Sequence, residues 1–156
     1  GHLVISTLHT NDAPSTVSRM LNMGIEPFLV ASAVNLIGAQ RLVRKLCVDC
    51  KENVEIPAET LIEIGVPPDQ VDGFQAMRGS GCRTCNNSGY KGRIAVYEIM
   101  PLTEELREFV LNGASTMELK REAIRQGMKT LRMSGLTKLA EGMTSMEEIV
   151  RSTAPD

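Results

Sequence analysis

The four cysteines of this chain fall into two identical spacings, Cys47-Val48-Asp49-Cys50 and Cys82-Arg83-Thr84-Cys85. Each C-x-x-C offers two thiolates from one tight turn, and the loop between the pairs lets the turns meet; this is how a tetrahedral metal site is usually written into a sequence. Zinc is the expected ion, because it is tetrahedral and redox-silent with thiolates. Four sulfurs fill every position and leave none for water or substrate, so the site is expected to be structural. A redox dithiol is the less natural reading, since a redox C-x-x-C usually stands alone at a helix N-terminus. The plainest alternative is two unliganded turns. The pairs sit mid-chain, so a shared ion would tie the first third of the chain to the last.

At 156 residues, 42 % of them hydrophobic, the chain has the makings of one domain, or one domain with a small appendage. A net charge of −2, a pI near 5.8 and only 3 % aromatic residues argue against a nucleic-acid surface, electrostatic or stacking. No apolar run approaches the roughly 18 residues of a membrane span, and no secretory signal is present, so no transmembrane segment is expected. Metal-binding thiolates suit a reducing compartment, which makes a cytoplasmic location the expectation. The opening Gly1-His2-Leu3-Val4-Ile5 reads as the inside of an element cut from a longer protein.

In chain order, residues 2–8 form a short apolar run with β-branched Val4, Ile5 and Thr7, which predicts a buried strand. Asn11 or Asp12 can then cap a helix beginning near Ala13-Pro14, with Val17, Met20 and Leu21 on its apolar face and Gly24 at its end. Strand, polar turn and helix in that order are the grammar of α/β sheets, in which ligands sit at the carboxyl ends of strands. His9, with Thr7, Thr10 and Asn11 around it, occupies that position; its bland reading is a turn or capping histidine. His2 and His9 lie an odd number of positions apart, so one straight strand would point them to opposite faces.

Residues 27–38 are apolar nearly all round and predict a buried helix. A second strand is expected over 40–46, leading into Cys47, and a short helix over 57–64, ended by Gly65 and followed by an extended path at Val66-Pro67-Pro68. Residues 93–100 alternate as a strand, with Ile94, Val96 and Met100 on one side and Ala95, Tyr97 and Ile99 on the other. The rest is helical: Thr103 caps Glu104-Glu105, and Ser115/Glu118 and Thr144/Glu147 both read as capping boxes. Leu136, Leu139, Ala140 and Met143 recur at helical spacing, as do Met146, Ile149, Val150 and Thr153. Arg41, Arg44, Lys45 and Lys51 form a basic stripe, ordinarily a solvated edge strand, otherwise a surface for phosphate or an acidic partner. No G-x-x-x-x-G-K-[ST] or G-x-G-x-x-G occurs, and no Ser/His/Asp order suggests a triad.

With these residues in view, a family resemblance emerges. The segment Gly1-His2-Leu3-Val4-Ile5-Ser6-Thr7-Leu8-His9-Thr10-Asn11-Asp12-Ala13 resembles the histidine box of secretion and pilus ATPases, and Ala39-Gln40-Arg41-Leu42-Val43-Arg44 resembles their next motif. Leu46-Cys47-x-x-Cys50 and Gly81-Cys82-x-x-Cys85, followed by Gly89-Tyr90-Lys91-Gly92-Arg93, are similar to the family's tetracysteine element. The stretch Gly127-Met128-Lys129-Thr130-Leu131-Arg132 through Gly135-Leu136-Thr137-Lys138 is most similar to type IV pilus assembly (extension) ATPases of the PilB kind, with type II secretion ATPases as near relatives.

The resemblance implies an α/β fold: the C-terminal part of a RecA-like P-loop ATPase domain (1–46), a tetracysteine zinc-binding insertion (47–92), and a strand plus C-terminal helical subdomain (93–156). It implies a cytoplasmic homo-hexamer docked on an inner-membrane platform protein, driving pilin assembly with ATP and Mg²⁺. By position, His2 and His9 match the box histidines, His9 being the one to approach the γ-phosphate or transmit its loss. Thr7 and Thr10 would support it, Arg41 matches an arginine near the subunit boundary, and Cys47, Cys50, Cys82 and Cys85 match the zinc ligands. The phosphate-binding loop and Mg²⁺-holding acids would lie upstream, so this piece alone is expected to hydrolyse no ATP. A rival from another class is a zinc-ribbon module for nucleic acid or protein, suggested by Cys82-x-x-Cys85-Asn86-Asn87-Ser88-Gly89.

Overall fold

The computed structural model describes all 156 residues, in a mixed α/β arrangement. In chain order the elements are α1 (Ala13–Asn22), α2 (Pro27–Ala33), β1 (Leu36–Leu46), β2 (Lys51–Val54), α3 (Ala58–Glu63), β3 (Ala76–Gly79), β4 (Tyr90–Pro101), α4 (Glu104–Leu111), α5 (Thr116–Arg125), α6 (Leu131–Ala140) and α7 (Met146–Ser152), with short 3₁₀ turns at Pro68–Gln70 and Arg83–Cys85. β1 pairs with β4 and β2 with β3, as two separate two-stranded sheets. No helix is long and apolar enough to cross a membrane.

The chain forms two compact units. The first comprises Gly1–Ala39 and Glu98–Met128. Its helices begin where their caps dictate. Asp12 is extended and accepts the Ser15 N–H at 2.8 Å, with proline in the first turn of α1. Thr103 caps α4, and Ser115 with Glu118 forms the expected reciprocal box at α5. Gly24 takes a φ of +85°, which lets the chain reverse after α1. The apolar stripes of these helices enclose Ala13, Val17, Val30, Ile37, Met100, Leu106, Val110 and Leu119.

Two expectations fail in this unit. Residues 2–8 carry no strand, and Leu3, Val4 and Ile5 are 83 %, 79 % and 89 % exposed. Their β propensity is genuine, but a strand exists only when a neighbour pairs its N–H and C=O groups, and the four strands of this chain pair among themselves. The apolar stretch after Pro27 also divides. α2 stops at Ala33, Val34 turns extended, and β1 starts at Leu36; within α2, Val30 and Ala31 are buried whereas Phe28 and Leu29 are exposed rather than core. A continuous apolar run does not distinguish a buried helix from a strand, and β-branched Val34 and Ile37 favour the extended form here.

The second unit comprises Gln40–Tyr97 and Lys129–Asp156. β2 and β3 run antiparallel, with Lys51 opposite Gly79 and Val54 opposite Ala76. α6 packs on α7 closely enough that a Cβ on Gly135 would lie 2.9 Å from Ile149 Cδ1, so the helix tolerates a glycine for the sake of the contact. The C-terminal cap differs from expectation by one residue. Ser145, not Thr144, caps α7 and accepts from Glu148 N–H. Thr144 is buried and donates instead to the Arg44 carbonyl at 2.8 Å. After Val66, Pro67 is extended as expected, but Pro68 opens a 3₁₀ turn.

β4 alternates as its sequence indicates. Val96 and Met100 are buried and Tyr97 and Ile99 exposed. The buried side also carries Glu98, only 1 % exposed, a residue that the apolar pattern does not reveal.

Candidate metal centre and histidine segment

β1 ends at Leu46 and delivers Cys47 into a tight turn closed by Cys50 N–H to the Cys47 carbonyl. The second pair sits on the 3₁₀ turn Arg83–Cys85, with extended Cys82 before it. Two links bring the turns together: Cys47 N–H donates to the Gly89 carbonyl at 2.9 Å, and Ser80 N–H to the Cys50 carbonyl at 3.0 Å. Asn86 and Asn87 both adopt positive φ (53° and 59°), a region asparagine tolerates better than other side chains, and they fold the chain back toward the sulfurs. Gly79 and Gly89 approach so closely that a Cβ on Gly79 would overlap the Gly89 backbone.

All four Sγ atoms lie within 4.8 Å of one another. Cys47–Cys82 and Cys50–Cys85 are separated by 3.8 Å and Cys82–Cys85 by 3.7 Å. These three distances match the edge of a zinc–thiolate tetrahedron: four sulfurs at the usual zinc–sulfur distance of about 2.3 Å would stand about 3.8 Å apart. Disulfides require about 2.05 Å, and all four thiols are free. Cys82 N–H and Gly89 N–H both point at Cys85 Sγ, at 3.2 and 3.3 Å, as donors should around a ligand thiolate. The donor set and its spacing fit a tetrahedral, thiophilic divalent ion such as zinc.

The electrostatics favour one early thiolate. Burial acts to raise the Cys85 thiol, but those two N–H groups, with help from the Cys82 and Cys50 sulfurs, bring it down to about 6. Burial pushes Cys50 up to about 12, the neighbouring cysteines adding to the effect. At Cys47 the Asp49 N–H works downward, yet burial and the adjacent Cys82 leave it raised. Four crowded sulfurs resist ionising together, and a divalent cation supplies the missing countercharge.

Behind this centre lies a polar lock that sequence reading missed. Glu148, 1 % exposed at its side chain, takes hydrogen bonds from Arg44 N–H (2.8 Å), Nε (2.9 Å) and Nη2 (2.7 Å), and a further one from Arg151 (3.0 Å). Burial acts to raise the Glu148 carboxyl, and the arginine contacts outweigh it and hold it below the usual range. The Arg44 guanidinium lies 4.0 Å from the centroid of Tyr90, whose hydroxyl pairs with Ser145 at 2.6 Å. Arg44 was legible only as one member of a basic stripe.

Of the residues marked out by sequence, the four cysteines converge. His2, Thr7 and His9 lie exposed on the irregular segment before α1. Thr10 is half-buried and shares a 2.7 Å hydrogen bond with Thr16, which in turn donates to the Asp12 carbonyl at 3.2 Å. Arg41 belongs to the second unit, half-buried on β1, and donates to the Gln40 carbonyl.

Comparison with known proteins gives concordant matches. The family described as Type II/IV secretion system protein matches residues 1–151. The type IV pilus assembly ATPase PilB of Myxococcus xanthus (strain DK1622) is 60 % identical over 157 residues, covering 100 % of this chain and 28 % of the relative. PilB of Pseudomonas aeruginosa is 46 % identical over 153 residues, covering 98 % and 27 %. Type II secretion system protein E of Aeromonas hydrophila is 40 % identical over 158 residues, covering 100 % and 30 %. The chain thus spans less than a third of the length of these relatives.

Proposed function

The chain belongs to the type II/IV secretion system protein family, and on that premise we propose that it is the C-terminal region of a hexameric cytoplasmic ATPase that powers type IV pilus assembly. The observation that carries this reading is the 60 % identity to a pilus assembly ATPase along the entire chain, against 40 % to a type II secretion protein. Residues 1–46 are assigned to a RecA-like P-loop core, 47–92 to the metal-binding element, and 93–156 to a strand and helical subdomain.

In this reading Cys47, Cys50, Cys82 and Cys85 hold a structural zinc, which closes its own coordination sphere and supplies cross-linking rather than reactivity. The chemistry belongs to the histidine segment. His9 senses or approaches the γ-phosphate, His2 assists, Thr7 and Thr10 orient the segment, and Arg41 acts near a subunit boundary. The exposed apolar run at Leu3-Val4-Ile5 suits a strand that pairs with others of a larger sheet. ATP and Mg²⁺ require a phosphate-cradling loop and acidic ligands, and no such loop motif occurs in these 156 residues. The assembly docks through partners on an inner-membrane platform protein.

ATP turnover tests the reading. The intact protein should hydrolyse ATP, and the 156-residue chain alone should not. Turnover by the isolated chain, or none by the intact protein, would overturn it. A type II secretion ATPase is the second reading, favoured by the 40 % identity to protein E along the whole of this chain.

A further inference from the structure

Glu98 is a carboxylate on the core side of β4, between buried Val96 and Met100. A charge is costly there unless something compensates it. Its Oε1 accepts the Ala13 N–H at 2.6 Å, and Ala13 is itself fully buried. Ala13 is the first residue of α1, where backbone N–H groups lack intrahelical acceptors and the helix dipole favours negative charge. The Asp12 side chain serves the Ser15 N–H of the same turn, so two carboxylates divide the donors of this helix start between them.

The placement matters because of what precedes it. His9 stands four residues before Ala13 in an exposed, irregular segment, and Thr10 is already tied to Thr16 inside the first turn of α1. The direction in which the His9 segment leaves the helix is therefore set at residues 10–13, and Glu98 anchors that point to β4. We propose that Glu98 is a positioning residue for the histidine segment, fixing the start of α1 so that His9 is presented in one orientation to its nucleotide. This rests on the assignment of His9 to ATP turnover given above. A displacement of about 1 Å at a reacting group can cost on the order of a hundredfold in rate, so an anchor of this kind acts on turnover more than on affinity.

The test uses the intact ATPase with Glu98→Ala, Glu98→Gln and His9→Ala. Val110→Ala, a core truncation in the same unit, serves as a destabilised control. Glutamine keeps the acceptor oxygen and guards against a variant that simply fails to fold. Glu98→Ala should lower kcat about tenfold with KM for ATP within about twofold, while Glu98→Gln recovers most of the turnover. Val110→Ala should keep the original kcat below its melting transition. Hydrogen exchange should speed up at Ala13 and the residues just before it in Glu98→Ala but not in Val110→Ala. If His9→Ala loses turnover and folded Glu98→Ala does not, the positioning role is refuted while the assignment of His9 stands. If neither variant changes kcat, the reading of His9 fails and the proposal falls with it, even where exchange at Ala13 quickens.

Discussion

Glu148 and Arg44, more than a hundred residues apart in sequence, are joined through both the backbone N–H and the guanidinium of the arginine, at 2.7 to 2.9 Å. Arg44 stands three residues before Cys47, the first cysteine of the candidate metal centre, and Glu148 lies in the first turn of α7. The pair therefore ties the strand that feeds the metal centre to the C-terminal helix.

Replacing Glu148 by alanine should destabilise the second unit by about 2 kcal/mol, because the part-buried Arg44 backbone N–H loses its acceptor; the outer guanidinium, on a side chain 47 % exposed, adds little. Thermal melts of the 156-residue chain would measure this. The carboxyl is held below its unfolded value, so its contribution is complete above the unfolded carboxylate pKa of about 4.3 and is lost as pH falls through the depressed folded value. The difference between parent and Glu148→Ala should therefore be flat from neutral pH down to about 5 and shrink below about 4.

This lock shows what was and was not legible. Both Thr144-x-x-Glu147 and Ser145-x-x-Glu148 satisfy the capping template, and local pattern alone does not choose between them. The choice is tertiary: Thr144 is drawn to the Arg44 carbonyl and Ser145 to Tyr90. The caps at Thr103 and Ser115, and the choice of Asn11 or Asp12 for α1, were readable because each cap is a local bond to a backbone N–H three residues on, which Thr103 keeps even while its hydroxyl donates to Gln126. The cysteine cluster was readable because ligand chemistry enforces its spacing. The strand at residues 2–8 misled because propensity is local whereas pairing is not. Glu98 did leave a trace, a charge at an inward position between Val96 and Met100, which the apolar pattern passed over.

Ser145→Ala should cost about 1 kcal/mol as a lost N-cap and also release the Tyr90 hydroxyl. Fluorescence-monitored urea unfolding using the two tyrosines would check it; equal stability would return the cap to Thr144.

Gly79→Ala should disturb the metal centre without touching a ligand. Its Cβ would strike the Gly89 backbone, whose carbonyl and N–H serve Cys47 and Cys85. A cost of about 1 to 3 kcal/mol is expected, with metal affinity lowered about tenfold or more in a competition titration with a chromophoric chelator.

Removing the metal with a strong chelator should quicken hydrogen exchange across residues 47–92 first, while the core around Val17, Val30 and Val110 stays protected. Affinity should also weaken as pH falls, because protons compete for the thiolates, Cys50 above all. Chelation with no change in exchange would remove the structural role assigned to the ion.

The most direct measurement is made in the cell: delete the gene encoding the intact protein, then score surface pili and the export of folded proteins in parallel. Loss of pili with export unchanged, restored by the original gene but not by His9→Ala, is the expected result. Normal piliation with failed export would contradict the pilus assignment and establish the secretion reading in its place.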